Sequence, residues 1–261
     1  MKNKVKVLHW FSASRTHVGK VRKLNEDSVL DLSELGLWMV ADGMGGHAAG
    51  DFASGAIVSG LARIPPPTSL GALLGEVRQR LQIVNRQLIV EARTRHEQVI
   101  GSTVVALLAF GGHGVVVWAG DSRAYQYRRG ELTQLTRDHS QVEELVRLGL
   151  LAPEGVEGHP AANVITRAVG VADYLELDSE MFALEENDTY LLCSDGLYRE
   201  LDHDAIKACL APDDCQQSRD MLIKGALARG ARDNVSVIVV RITDEPQATR
   251  TWYNPSVSAT G

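Results

Sequence analysis

No stretch of this chain offers the roughly 18 consecutive apolar residues that a membrane-spanning helix needs. Its first residues, MKNKVKVLHWFSAS, hold lysines but no apolar run of signal-peptide length. The chain is therefore expected neither to cross a membrane nor to be exported by that route. Cysteine is scarce. Cys193, Cys209 and Cys215 are the 3 among 261 residues, form no C-x-x-C pair and cannot all pair with one another. That disfavours a disulfide framework and fits a reducing, cytoplasmic compartment. Positive charge is also short, with 27 Lys and Arg against 33 Asp and Glu for a formal net charge of −6. This balance opposes a phosphate backbone, and no basic stripe with interleaved aromatics offsets it, so nucleic acid is not an expected partner.

Apolar residues are present in strength. At 44% hydrophobic and 23% charged the chain can bury a substantial core, and one domain is expected over residues 1–243. The remainder, DEPQATRTWYNPSVSATG (244–261), has little periodicity and is expected to be a loosely ordered tail.

β-rich apolar runs recur at 36–42, 102–110, 114–120, 123–127, 189–195 and 234–242. Glycine-rich turns follow two of them, at Phe110–Gly114 and Arg128–Glu131, which predicts hairpins and a largely antiparallel sheet. Between Ser69 and His96, Leu70, Leu73, Leu74, Val77, Leu81, Val84, Leu88 and Ala92 fall on one helical stripe. A preceding helix over Ala48–Ile64 must stop at Pro65-Pro66-Pro67. Two further helices are expected over Asp202–Leu210 and Asp214–Arg229, with Asp202 and Asp213 as N-caps and Gly230 as the stop. Residues 140–163 hold a short helix over Gln141–Leu148, then Gly149, Pro153, Gly155, Gly158 and Pro160, the pattern of a flap.

The chemistry lies in acidic motifs placed against these runs. Asp42 and Asp195 are each expected to end a strand and be followed by glycine, so that carboxylates emerge where two strands stop. Converging carboxylates repel unless a cation neutralises them, and hard ions such as Mg2+ and Mn2+ prefer oxygen ligands. Any one Asp-Gly alone is an ordinary turn. Gly45-Gly46 lacks the Lys-Ser/Thr of a nucleotide P-loop. Cys193 and Arg199 do have the C-x5-R spacing of cysteine-dependent phosphatases, but Cys193 continues the apolar run Tyr190-Leu191-Leu192, and Asp195 would put a negative charge into the phosphate cradle. That reading is set aside.

The ordered set is far more specific than its members. It runs G-x-x-R-x-x-N-E-D (Gly19–Asp27), ADGMGGH (Ala41–His47), GST (Gly101–Thr103), GDSR (Gly120–Arg123), T-x-D-H-S (Thr136–Ser140), TRAVG (Thr166–Gly170), CSDGL (Cys193–Leu197) and DNVS (Asp233–Ser236). In order and spacing it resembles the metal-dependent protein phosphatases, the protein phosphatase 2C-type or PPM family, in its compact bacterial branch. The resemblance spans about residues 15–241.

It implies an α+β fold: a four-layer α-β-β-α sandwich with two central, mainly antiparallel sheets. It implies hydrolysis of phosphoserine and phosphothreonine in proteins by water activated at two Mn2+ or Mg2+ ions. Asp42 would bridge the ions, Asp195 and Asp233 would hold the first, and Glu26 and the Gly43 carbonyl would hold the second. Asp27 would act through a bound water, Arg22 would bind the phosphoryl group, and Asp121 with Asp195 would match a third, weaker metal site. The implied partners are phosphorylated proteins, a Ser/Thr kinase and its targets among them, met by a monomer. Met44 departs from the animal members, which carry a histidine there as proton donor. His47 is a weak substitute for that histidine, and His139 reads as structural. A catalytically dead phosphoprotein-binding module is disfavoured because every acidic position is filled, and a phosphodiesterase or nucleotidase is disfavoured by the full motif order.

Overall fold

The computed structural model describes residues 8–45, 49–152, 155 and 158–244. His47, the tail after Asp244 and part of segment 140–163 lie outside them.

In chain order the strands are β1 (His9–His17), β2 (Asp27–Leu32), β3 (Leu37–Met44), β4 (Gly101–Ser102), β5 (Val104–Phe110), β6 (His113–Ala119), β7 (Arg123–Arg128), β8 (Glu131–Gln134), β9 (Asp178–Ala183), β10 (Thr189–Cys193) and β11 (Val235–Thr243). The helices are α1 (Ala49–Leu61), α2 (Leu70–Arg95), α3 (Gln141–Arg147), α4 (Asp195–Tyr198), α5 (His203–Leu210) and α6 (Cys215–Arg229). One sheet has the order β1-β11-β10-β7-β8 and the other β2-β3-β5-β6-β9, with β4 paired to β3, and every pairing is antiparallel.

Period-two alternation builds the layers. On β3, Leu37, Met39 and Ala41 face α1 and α2, while Trp38 and Val40 face the other sheet. On β11, Val235, Val237 and Val239 pack under α5 and α6, whereas Ile238, Val240 and Ile242 point between the sheets. Each such apolar side chain contributes roughly 1.5–3 kcal/mol by leaving water. The expected four-layer α-β-β-α sandwich is the observed architecture.

Helix ends follow the capping chemistry. Ser69 accepts from Ala72 N at the start of α2, and His96, with φ 58°, closes that helix. Asp202 caps α5, but the cap of α6 is Asp214 and not Asp213: its Oδ1 takes the N–H groups of Gln216 and Gln217 at 2.7 and 3.0 Å. α1 stops at Leu61, short of the prolines.

Four strands went unforeseen. β1 and β2 mix half-buried polar and apolar residues, β8 is short, and β9 is an exposed edge, so none makes a long apolar run. The expected strand 102–110 is broken at Thr103, and 189–195 ends at Cys193. Asp195 therefore opens a short helix instead of closing a strand, and Asp42 lies inside β3, two residues before its end. Gly196 explains the first change. A Cβ there would lie 1.9 Å from Asn234 O, so only glycine lets α4 start against the approach to β11. Among the described residues, no helix is long and apolar enough to cross a membrane.

Candidate metal centre

Asp27 and Asp42 are direct partners in the β2–β3 register, which sets two carboxylates side by side on one sheet. The other sheet supplies Asp195, at the start of α4 after β10, and Asp233, just before β11. Asp121 follows β6, and its backbone carbonyl accepts from Tyr198 Oη at 3.1 Å. Arg22 lies on an exposed stretch and donates from Nη2 to Asp233 Oδ2 at 2.8 Å.

Electrostatic strain marks the convergence. Burial first, then the charges of Asp27, Asp195, Asp121 and Asp233 in that order, push Asp42 well above the usual carboxylate range. Burial pushes Asp27 up to about 6, in spite of hydrogen bonds from Ser236 and Ser194. Burial also pushes Asp195 up to about 6, with Arg199 opposing the shift, and, with the Asp195 charge, pushes Asp121 up to about 7. Glu26 is raised mainly by burial and held down in part by Arg22. Crowded like charges of this kind call for a cation.

The donor set suits hard divalent ions. Asp27 Oδ1 and Asp121 Oδ1 are buried and receive no hydrogen bond, leaving oxygen lone pairs free where they are costly to desolvate. Glu26 Oε1 and the Gly43 carbonyl oxygen stand 2.4 and 2.9 Å from the one point that a Cβ on Gly50 would occupy, so Gly50 leaves room for a pocket of two oxygen donors. Among the described residues, no three His, Cys, Asp or Glu side chains are already drawn onto one point. Guanidinium groups stand among them instead, Arg22 on Asp233 and Arg199 on Asp195. The oxygen donors present therefore fit hard divalent ions, for which Asp233 must turn from Arg22.

A second tier of residues, to which the sequence assigned no role, fixes the first. Asn234 Nδ2 donates to the carbonyls of Val18 and Leu24, both at 2.9 Å, and its Oδ1 accepts from Glu26 N at 2.8 Å, lashing down the loop that carries Arg22 and Glu26. Thr103 holds both backbone groups of Asp42: its N–H donates to Asp42 O at 2.8 Å, and its Oγ1 accepts from Asp42 N at 3.2 Å. The signal for Thr103 is a polar residue inside an apolar run, and for Asn234 a polar residue at the head of one.

His139 is structural. Its Nδ1 accepts from Gly120 N at 3.1 Å, its Nε2 faces Asp178 at 3.2 Å, and its ring stacks on Trp118. Cys193 is buried in β10, where burial raises its thiol pKa far from thiolate chemistry, and Arg199 faces carboxylates and not a phosphate cradle.

Two antiparallel sheets between helical layers, with acidic residues of both sheets meeting at one end, define the class of the metal-dependent protein phosphatases. The family model for protein phosphatase 2C matches residues 19–213, and the chain belongs to that family. It is 36% identical over 233 residues to the serine/threonine protein phosphatase PstP of Mycobacterium tuberculosis, covering 89% of this chain and 45% of that protein, so it spans about half of that relative's length. Among solved structures, PppA, described as a key regulatory component of T6SS in Pseudomonas aeruginosa, is 47% identical with a TM-score of 0.85, covering 90% of this chain and 99% of that one. The catalytic domain of PstP in complex with two manganese ions is 34% identical with a TM-score of 0.81, covering 90% and 99%.

Proposed function

We propose that this chain hydrolyses phosphoserine and phosphothreonine in proteins with the help of two Mn2+ or Mg2+ ions. The observation that carries the reading is the set of crowded, strained carboxylates around Asp42, drawn from both sheets. Asp42, Asp195 and Asp233 would hold one ion, and Asp42, Glu26 and the Gly43 carbonyl the other. When bound, such a pair lowers the pKa of water so that hydroxide is available at neutral pH.

The chain's own residues do the rest. Arg22 has five N–H donors and gives the structure's Asp233 bond only one, so its planar fork can take the non-bridging oxygens of a phosphomonoester. Asp27 Oδ1, buried and free of donors, would accept a hydrogen bond from the attacking water and orient it. Charge on the transferring group is met by Arg22 as the serine or threonine oxygen leaves in line. Met44 holds no proton, so the leaving alkoxide takes one from water. No covalent phosphoenzyme is required.

The substrates we infer are a Ser/Thr kinase and its targets, in keeping with the phosphatase relatives. Selection among them we assign to the segment 140–163. The free Cys193, Cys209 and Cys215 suit a cytoplasmic enzyme, and we place it there as a monomer. The test is phosphate release from a phosphothreonine peptide: present with Mn2+ or Mg2+, abolished by chelator and restored by either ion. Release that persists in chelator contradicts the reading.

A further inference from the structure

Arg199 is four residues beyond Asp195, at the C-terminal end of α4, and this one turn returns its guanidinium to the acidic cluster. Its Nη2 lies 2.8 Å from Asp195 Oδ2 and 3.5 Å from Asp121 Oδ2, and two thirds of the side chain is covered. Tyr198 adds a hydroxyl 3.4 Å from the same Asp121 oxygen. The Tyr198 ring is in turn held by the Arg123 guanidinium, 3.6 Å from its centroid, and Arg123 is committed to Asp138 through bonds of 2.7 to 3.1 Å. Among the described residues, Arg199 is thus the cation that sits between Asp121 and Asp195.

We infer that the Arg199 guanidinium is a built-in cation occupying the place between Asp121 and Asp195 where a third metal ion would otherwise sit, so that this chain takes up two divalent ions and not three. The inference rests on the two-ion reading proposed above. Geometry supports it, because a guanidinium within 3.5 Å of both carboxylates excludes an ion that must contact the same oxygens. Charge agrees with it, because Arg199 sets one positive charge against those of Asp121 and Asp195. Asp121 Oδ1, buried without a donor, shows what removing Arg199 would release: an oxygen pair with an acceptor free for metal.

Equilibrium dialysis against saturating Mn2+, with metal and protein measured on the same sample, counts the ions. The wild type is expected to hold two per chain, Arg199→Gln three, and Arg199→Gln combined with Asp121→Asn two again. A thermal melt confirms folding, and Arg199→Met, which keeps the apolar stem, serves if Gln does not fold. Three ions on the wild type, a count that needs no variant, overturn the inference and leave the two-ion phosphatase reading standing, as do two ions on a folded Arg199 variant. Fewer than two on the wild type overturn the metal reading itself and this inference with it.

Discussion

The Ser194 hydroxyl donates to Asp27 Oδ2 across 2.7 Å, and so fastens one sheet to the other directly beneath the acidic cluster. Asp27 belongs to β2 and Ser194 follows β10. The same Ser194 Oγ accepts from Ser236 N at 3.0 Å, and Ser236 Oγ in turn donates to Thr16 Oγ1 at 2.7 Å. One small hydroxyl, at the end of β10, therefore joins β2 to β11.

Ser194→Ala removes the donor and leaves Asp27, whose other oxygen already lacks one, with less to offset its burial. An unsatisfied buried acceptor costs about 1–3 kcal/mol. Urea unfolding of the metal-free protein should show a loss of that size, and Ser194→Thr, which keeps the hydroxyl, should recover part of it. A midpoint unchanged in Ser194→Ala would show that Asp27 does not depend on this bond.

In chelator the protein should lose stability as pH rises. Asp27, Asp195 and Asp121 have folded pKa values raised to about 6, 6 and 7, and Asp42 is raised well above the usual carboxylate range. A carboxyl whose folded pKa exceeds its unfolded value of about 4 favours folding while protonated and opposes it once ionised, so its cost grows from about pH 4 to pH 7. Divalent ions bind the ionised form and reverse the trend. Thermal melts at pH 5 and pH 8 should therefore show the chelated protein less stable at pH 8 and the gain from Mn2+ larger there. Equal gains at both pH values would count against carboxylate ligation.

Cys193→Ser should keep most of the turnover, and iodoacetamide should leave the native enzyme active. The thiol is buried in β10 and burial raises its pKa, so it is neither accessible nor ionised. A collapse of turnover in the folded variant would restore the cysteine to candidacy as the nucleophile.

Long apolar runs and capping residues made the inner strands and the helices legible. Trp38, Leu107 and Val240 lie in runs that can only be buried, and Ser69 and Asp202 carry the side chains that cap α2 and α5. β2 and β9 were not legible, because both are edge strands whose half-buried or exposed residues make no long apolar run. The acidic positions were legible as an ordered set of motifs, and the structure gathers Asp27, Asp121 and Asp195 so closely around Asp42 that each of the three raises its pKa. The residues that aim them were not. Asn234 bonds Glu26 across 208 positions and Ser194 bonds Asp27 across 167, and no local pattern announces such a pair. Arg199 stands in the sequence at C-x5-R spacing from Cys193, whereas its contacts are with Asp195 and Asp121.

The measurement that bears most directly on the account is the turnover of Asp42→Asn on a phosphothreonine peptide in saturating Mn2+. Asp42 has the carboxylates of Asp27, Asp195, Asp121 and Asp233 around it, and its backbone is pinned by Thr103, so the substitution removes a charge while the strand stays in place. Turnover should fall by about 100-fold or more, the scale seen when one preorganised charge-stabilising group is lost, while the thermal melt in chelator moves upward because a repelling charge has gone. Undiminished turnover in the folded variant would contradict the central claim that Asp42 organises the metal centre.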